Sequence, residues 1–413
     1  MGYWRSVSVT LSGTIAAQAI PLLGSLILMR QYSPAAFGEF AVWFGLVSMA
    51  AVIITGRFEV ALAIEPDGEP RRKAALATLL TTLLAAVVFL LLIAICAWVG
   101  GTWLPAVPPL MLASIAPAAL FTATAQTWQS LAAAEGRYFD LSVMRITQAG
   151  SVTLLQMLVG IEAPSAASLA SAYGAGVLLG IAVAAWRLPI STQCESYRVL
   201  LVDFWKRQKR FPMLSLPADA INATTAQLPL LIVASRFGAD IAGLLALTLR
   251  TLNAPIALMG KAVLDVFKRH AAASWRDRAE CRDDYLQTFK VLAAASAVAA
   301  ICLFFSSETI FGLAFGEKWR KSGEMAVWLL PLFSLRFIAS PLSYLFYIAG
   351  KQHLDLAWQV MLLLMTTAAL ALGTTYSASL ISYSAGYSLL YLIYLRMSYS
   401  FSLGEKNDRD YRL

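Results

Sequence analysis

The chain has 413 residues, of which 59% are hydrophobic and 14% charged, with a formal net charge of +8. Soluble domains run near 45–50% apolar and about 25% charged, so a soluble fold of this length would lack polar surface. The basic excess lies between apolar runs, with no aromatic-rich basic strand or recognition helix, so it does not point to nucleic acid.

The apolar runs predict twelve spans, at about 8–29, 40–64, 75–99, 109–133, 140–160, 166–186, 215–235, 241–266, 287–312, 325–348, 355–375 and 379–398. Crossing hydrocarbon takes about 20 apolar residues. Runs of that length must be helical, because backbone groups in lipid can bond only within their own segment. The fold class is an all-α polytopic membrane protein with about twelve transmembrane helices.

Polar stripes cross several spans. Thr14 and Gln18 share a face of the first, Thr122, Gln126 and Gln129 of the fourth, and Gln148 and Ser151 of the fifth. Such faces avoid lipid. They either hydrogen-bond between helices or line a wet cavity. Gly176 and Gly180 on the sixth span predict close helix contact. After it, Tyr197, Leu200, Leu201, Phe204 and Trp205 recur at helical spacing, followed by Lys206, Arg207, Lys209 and Arg210. This pattern predicts an amphipathic helix on the inner leaflet, which also tethers two halves. The last span carries Tyr383, Tyr387, Tyr391 and Tyr394 along one face, for packing against a helix or for stacking on sugar rings.

The halves echo each other. Gln18, Pro21-Leu22-Leu23, Arg30, Gly38, Ala41 and Arg57 match Gln227, Pro229-Leu230-Leu231, Arg236, Gly243, Ala246 and Lys261. Gly136-Arg137-Tyr138 is matched by Gly350-Lys351-Gln352. The repeat predicts a lobe of six helices at 1–187, a linker at 188–214, a second six-helix lobe at 215–400 and a cytoplasmic tail at 401–413. Repeats of this kind mark transporters that rock around a site between their halves, and a monomer then holds a complete site. Lys and Arg concentrate in the second, sixth and eighth loops, with Lys318, Arg320 and Lys321 in the ninth as the main exception. That bias predicts cytoplasmic termini.

An arginine at mid-membrane costs about 2.5–3.5 kcal/mol even on the lenient scale. Arg250 lies roughly 13 Å into the eighth span and Arg336 roughly 16 Å into the tenth, so both should face protein or water. Arg57 and Arg145 lie shallow enough to snorkel. Glu59, two residues beyond Arg57, is expected on another helix face. Asp219, near the cytoplasmic end of the seventh span, is a possible site for ion coupling; Asp265 ends the eighth. Bases outnumber acids at depth, which suits an anionic, phosphate-bearing substrate. Arg57, Arg250, Arg336, Gln18 and Gln126 are the candidate substrate-binding residues. Neither a metal motif nor a disulfide pair emerges from Cys96, Cys194, Cys281 and Cys302, and no P-loop, HExxH or GxSxG points to an enzyme or a cofactor.

Several stretches resemble the Wzx-type oligosaccharide flippases of the MOP superfamily of exporters. They are Ser12-Gly13-Thr14 with Ala17-Gln18, Arg30-Gln31-Tyr32-Ser33-Pro34-Ala35-Ala36-Phe37-Gly38, and Gly56-Arg57-Phe58-Glu59-Val60-Ala61. Further on, Arg210-Phe211-Pro212-Met213-Leu214-Ser215-Leu216-Pro217 and Gly243-Leu244-Leu245-Ala246-Leu247-Thr248-Leu249-Arg250 also fit. Phe58 stands where the family often has tyrosine. The likeness is strongest up to about residue 270. It implies two six-helix bundles in a V, in a bacterial inner membrane. It also implies a cargo of polyprenyl-pyrophosphate-linked oligosaccharide, carried outward for surface polysaccharide, with membrane lipid around it and a polysaccharide polymerase downstream. Arg57 and Arg250 fall inside the matching motifs and Arg336 outside them. A cation-coupled exporter of the same superfamily would favour a carboxylate in the first span, which has none. A membrane-embedded polysaccharide enzyme would favour a large external loop, and the external loops here are short.

Overall fold

A computed structural model describes residues 3–98, 108–190 and 196–404. Cys194 and the expected tail from residue 405 lie outside the described residues, as do the side chains of Lys261 and Asp265. Every regular element described is a helix. In chain order these are α1 (Tyr3–Gln31), α2 (Pro34–Ile54), the single turn α3 (Phe58–Ala61), α4 (Glu69–Trp98), α5 (Pro109–Ala134), α6 (Tyr138–Glu162) and α7 (Ala166–Arg187). Then come α8 (Tyr197–Gln208), a π-turn at Phe211–Ser215, α9 (Leu216–Arg278) and α10 (Arg282–Phe315). A 3-10 turn at Glu317–Trp319 leads into α11 (Arg320–Leu342), the short α12 (Leu345–Ile348), α13 (Gln352–Leu372) and α14 (Tyr376–Ser402).

Ten helical stretches among the described residues are long and apolar enough to cross a membrane. The helix α6 is as long but more polar, with Arg145, Gln148, Ser151, Thr153 and Gln156 along it. The sequence predicts a loop between the seventh and eighth spans; instead α9 runs through both, broken only at Gly238 (φ 87, ψ 172). Glycine reaches that positive φ without a Cβ clash, so one residue is enough to redirect the helix. With α6 added and α9 divided at Gly238, the twelve predicted spans are accounted for.

The chain divides into two compact units, residues 1–243 and 244–413. The division falls inside α9, after Gly243. In the first unit, α8 is docked on protein. Phe204 is fully buried and meets Phe58 at 5.1 Å between ring centres. The Trp205 indole donates to the Thr81 hydroxyl at 3.0 Å. At the end of α8, Arg207 and Gln208 both donate to the Glu65 carboxylate, at 2.9 and 2.7 Å. The amphipathic helix is therefore held by protein contacts as well as by the apolar face read from the sequence.

Small residues let helices of this unit approach closely. A Cβ on Gly176 of α7 would collide with the Val152 backbone of α6, and one on Gly180 would meet Gln148. Gly38 and Gly243, counterparts in the repeat, lie against each other's helices. A Cβ on the first would strike the Ala239 carbonyl and on the second the Pro34 carbonyl. In the second unit, α14 lays its tyrosines into protein: Tyr383, Tyr387, Tyr391 and Tyr394 are all buried. Tyr394 stacks on Phe346 at 4.3 Å, meets Trp358 at 4.4 Å and donates to Asp355 at 2.9 Å. This row is a helix-packing seam.

The second repeat landmark has a backbone basis. Gly136 (φ 69) and Gly350 (φ 68) both adopt the left-handed conformation. The next N–H then bonds five residues back, Arg137 to Ala132 at 2.9 Å and Lys351 to Phe346 at 2.8 Å. Both are Schellman stops, which favour glycine.

Candidate functional site

The second predicted span ends early. After Ile54 the chain turns through two left-handed residues, Gly56 (φ 57) and Arg57 (φ 61, ψ 17). For arginine that conformation costs about 1–3 kcal/mol and needs support. Arg57 Nη1 donates to Glu59 Oε1 at 2.9 Å, and its Nε lies 2.7 Å from Asp219 Oδ2 on the first limb of α9. The second contact is electrostatic, since the Nε–H does not point at that oxygen. The sequence places Arg57 and Glu59 on different helix faces; with the helix ended, the left-handed turn swings them together. The Glu59 side chain is 5% exposed, and its Oε2 has no hydrogen-bond partner among the described residues. One base between two carboxylates leaves a net negative charge when all three are ionised.

A second polar group in this unit has the opposite character. Arg145 of α6 donates to Thr14 of α1 at 2.8 Å and to Gln129 of α5 at 3.3 Å. Gln129 in turn donates to Gln148 at 2.8 Å. No carboxylate among the described residues pairs with Arg145. The sequence gives Arg145 a route to the headgroups; the structure turns it across three helices. The missed signal was the helix itself, since Arg145 and Gln148 lie three residues apart on the most polar of the spans. The other stripes resolve mostly into helix contacts. Thr122 bonds Tyr173 at 3.0 Å and Ser151 donates to the Gly176 carbonyl at 2.8 Å. Gln18 is exposed and Gln126 half-buried, and neither makes a hydrogen bond among the described residues.

In the second unit, Arg250 is half-buried on the second limb of α9. Two buried bonds fix that limb to α11, from Thr248 to the Ser322 carbonyl at 2.9 Å and from Ser322 to the Leu244 carbonyl at 3.0 Å. Arg336 of α11 is half-buried, with its guanidinium carbon 6.0 Å from the Phe333 ring centre. It lies within electrostatic reach of Tyr383, Tyr387 and Tyr391 and has no carboxylate partner among the described residues. Of the predicted site residues, the structure thus joins Arg57 to Asp219. Gln18 and Gln126 lie in the same unit and share no hydrogen bond with that pair among the described residues, and Arg250 and Arg336 belong to the other unit.

Comparison with known proteins places these residues in a family. Residues 27–324 match the family described as polysaccharide biosynthesis protein. No curated protein matches the chain. Among solved structures, it is similar to an inward-facing multidrug resistance MATE family transporter of the MOP superfamily, with a TM-score of 0.69, 13% identity, and 92% of this chain and 93% of that one covered. It is also similar to the lipid II flippase MurJ in an inward closed conformation, at TM-score 0.72 and 11% identity, over 95% and 89% of the two chains. A MOP superfamily transporter from Pyrococcus furiosus, described by a binding pocket of reverse polarity, aligns at TM-score 0.56 and 12% identity, over 95% and 93%. The fold is that of MOP-superfamily transporters, the all-helical multi-pass class expected from the sequence.

Proposed function

Because the chain belongs to the polysaccharide biosynthesis protein family, we propose that it is a flippase for polyprenyl-pyrophosphate-linked oligosaccharide. It moves these units from the inner to the outer leaflet of a bacterial cytoplasmic membrane by alternating access. A polysaccharide polymerase then consumes the cargo on the outer face. The observation that carries this reading is the pair of half-buried arginines without acid partners, Arg145 on hydroxyl and amide groups and Arg336 beside Phe333. Held by neutral groups rather than by carboxylates, such guanidinium groups keep a positive charge that no acid neutralises, which suits phosphate oxygens. Arg250 joins them as a substrate-binding residue, and Gln18 and Gln126 supply amides for sugar hydroxyls. Arg57 is engaged by acids in this conformation and meets substrate only when Glu59 or Asp219 releases it. A net negative cluster exposed in part to water suits a coupling cation or proton, and Asp219, 37% exposed, is its entry point. The chain acts as a monomer, without a cofactor or covalent chemistry, with both termini in the cytoplasm.

The test uses a strain lacking this protein. Polyprenyl-linked glycans are extracted, and an impermeant glycosidase on intact spheroplasts reports which leaflet holds them. Completed units trapped inside, and released outward on re-expression, support flipping. Units that reach the outer face normally remove the proposal for that pathway, and units never completed turn attention to an enzymatic step.

A further inference from the structure

A groove of about 700 Å³ lies in the first unit between α2, α4 and α8. Ile53 of α2, Leu84 and Val88 of α4, and Val202 and Trp205 of α8 form its apolar wall. Thr81 also lines it, but its hydroxyl is already taken by the Trp205 indole. Lys206 is the charged side chain at its edge, and no carboxylate among the described residues pairs with it. The neighbouring Arg207 is tied to buried Glu65, while Lys209 and Arg210 follow exposed.

We propose that this groove seats an acyl chain of an anionic phospholipid whose phosphate is held by Lys206. The walls stay open after folding: Leu84 is 58% exposed, Val88 56%, Val202 43% and Trp205 45%. An apolar cleft on a membrane-spanning helix is covered by hydrocarbon, since no water competes for it. The amphipathic helix sets its unpaired bases beside that hydrocarbon, and basic pockets between spans on the cytoplasmic side select acidic headgroups. Charge complementarity thus favours an acidic phospholipid over a zwitterionic one. An occupied groove also braces the break in α2, because Ile53 and Ile54 lead directly into it and Trp205 meets Phe58 at 5.0 Å. The site stands whether or not the chain flips a lipid-linked glycan.

The experiment is native mass spectrometry of the full chain released from nanodiscs of equal phosphatidylglycerol and phosphatidylcholine. The expected result is one phospholipid retained per chain, phosphatidylglycerol over phosphatidylcholine by roughly tenfold. Lys206→Glu, at an exposed position, should abolish that preference while keeping a bound lipid. Val202→Trp, which fills the groove, should lose the lipid altogether. Equal retention of the two phospholipids by the unaltered chain overturns the proposal. So does undiminished preference in Lys206→Glu, a measurement that holds even where Val202→Trp fails to fold. Displacement of phosphatidylglycerol by an equimolar polyprenyl phosphate would also overturn it, assigning the groove to an isoprenoid tail.

Discussion

Arg57 sits where two carboxylates need it more than the membrane resists it. Removing it leaves Glu59, almost fully enclosed, facing Asp219 with no cation between them. Arg57→Ala should lower stability by about 2–3 kcal/mol, read as a drop in the thermal midpoint of the purified protein. Adding Glu59→Gln to that variant should recover part of the loss, because the enclosed charge disappears with it. No recovery in the double variant would mean that the loss does not come from the Glu59 charge. Cys281 makes a different residue-level point. It opens α10, its N–H donates to the Ser402 carbonyl at 2.9 Å, and it is 1% exposed. Burial, with Asp284 and Glu280 alongside, pushes its thiol up to about 12. The reactive thiolate is therefore scarce at about pH 8, and the thiol is shielded as well. A water-soluble maleimide should leave Cys281 unlabelled in the folded protein and label it after denaturation, as peptide mass mapping would report. Since folding raises this pKa, the burial of Cys281 favours the native state fully below pH 9 and progressively less as pH climbs toward 12.

Among the elements, α6 and α7 offer a controlled contrast. Gly176 touches the backbone of α6, whereas a Cβ on Gly174, two residues earlier on the same helix, meets nothing within 4 Å. Gly176→Leu should cost about 1–3 kcal/mol through overpacking, and Gly174→Leu should be tolerated; detergent-solubilised melting curves separate them. The tyrosines of α14 belong to the same class of contact. Tyr394→Phe leaves Asp355 short of a donor and should cost about 1–2 kcal/mol, with transport activity falling only as far as folded protein does. These elements also show what could be read in the letters. Runs of about 20 apolar residues announce each span, and the spacing of Phe204 and Trp205 announces α8. The turn at Gly56–Arg57 is not announced, since glycine then arginine reads as helix until a partner holds it in the left-handed region. Its partners are Glu59, two residues on, and Asp219, far along the chain, and no local pattern announces the second. The partners of Arg145 are unannounced for the same reason, since Thr14 and Gln129 come from two other helices. Burial of a base is legible from its depth in a span, but the sign of its neighbours is decided by which faces meet.

At the scale of the molecule, the family match and the shared fold tie the chain to polysaccharide biosynthesis and to transporter architecture. The distribution of Lys and Arg adds a topology that can be checked directly. A fluorescent protein fused after Gly404 should light up in the cytoplasm, and one inserted after Pro164 should stay dark while a phosphatase there is active. The reverse pattern would invert every span. The two stops at Gly136 and Gly350 carry a further consequence. Each is specified by one letter whose role is backbone geometry, and the rest of the turn is written by main-chain bonds that any residue can make. A duplicated half can therefore lose nearly all textual likeness to its twin and still begin and end its helices in register. For such a protein, ancestry is stored in the few places where a left-handed turn favours glycine, and a comparison that weighs those glycines will find kinship where counting identical letters finds little.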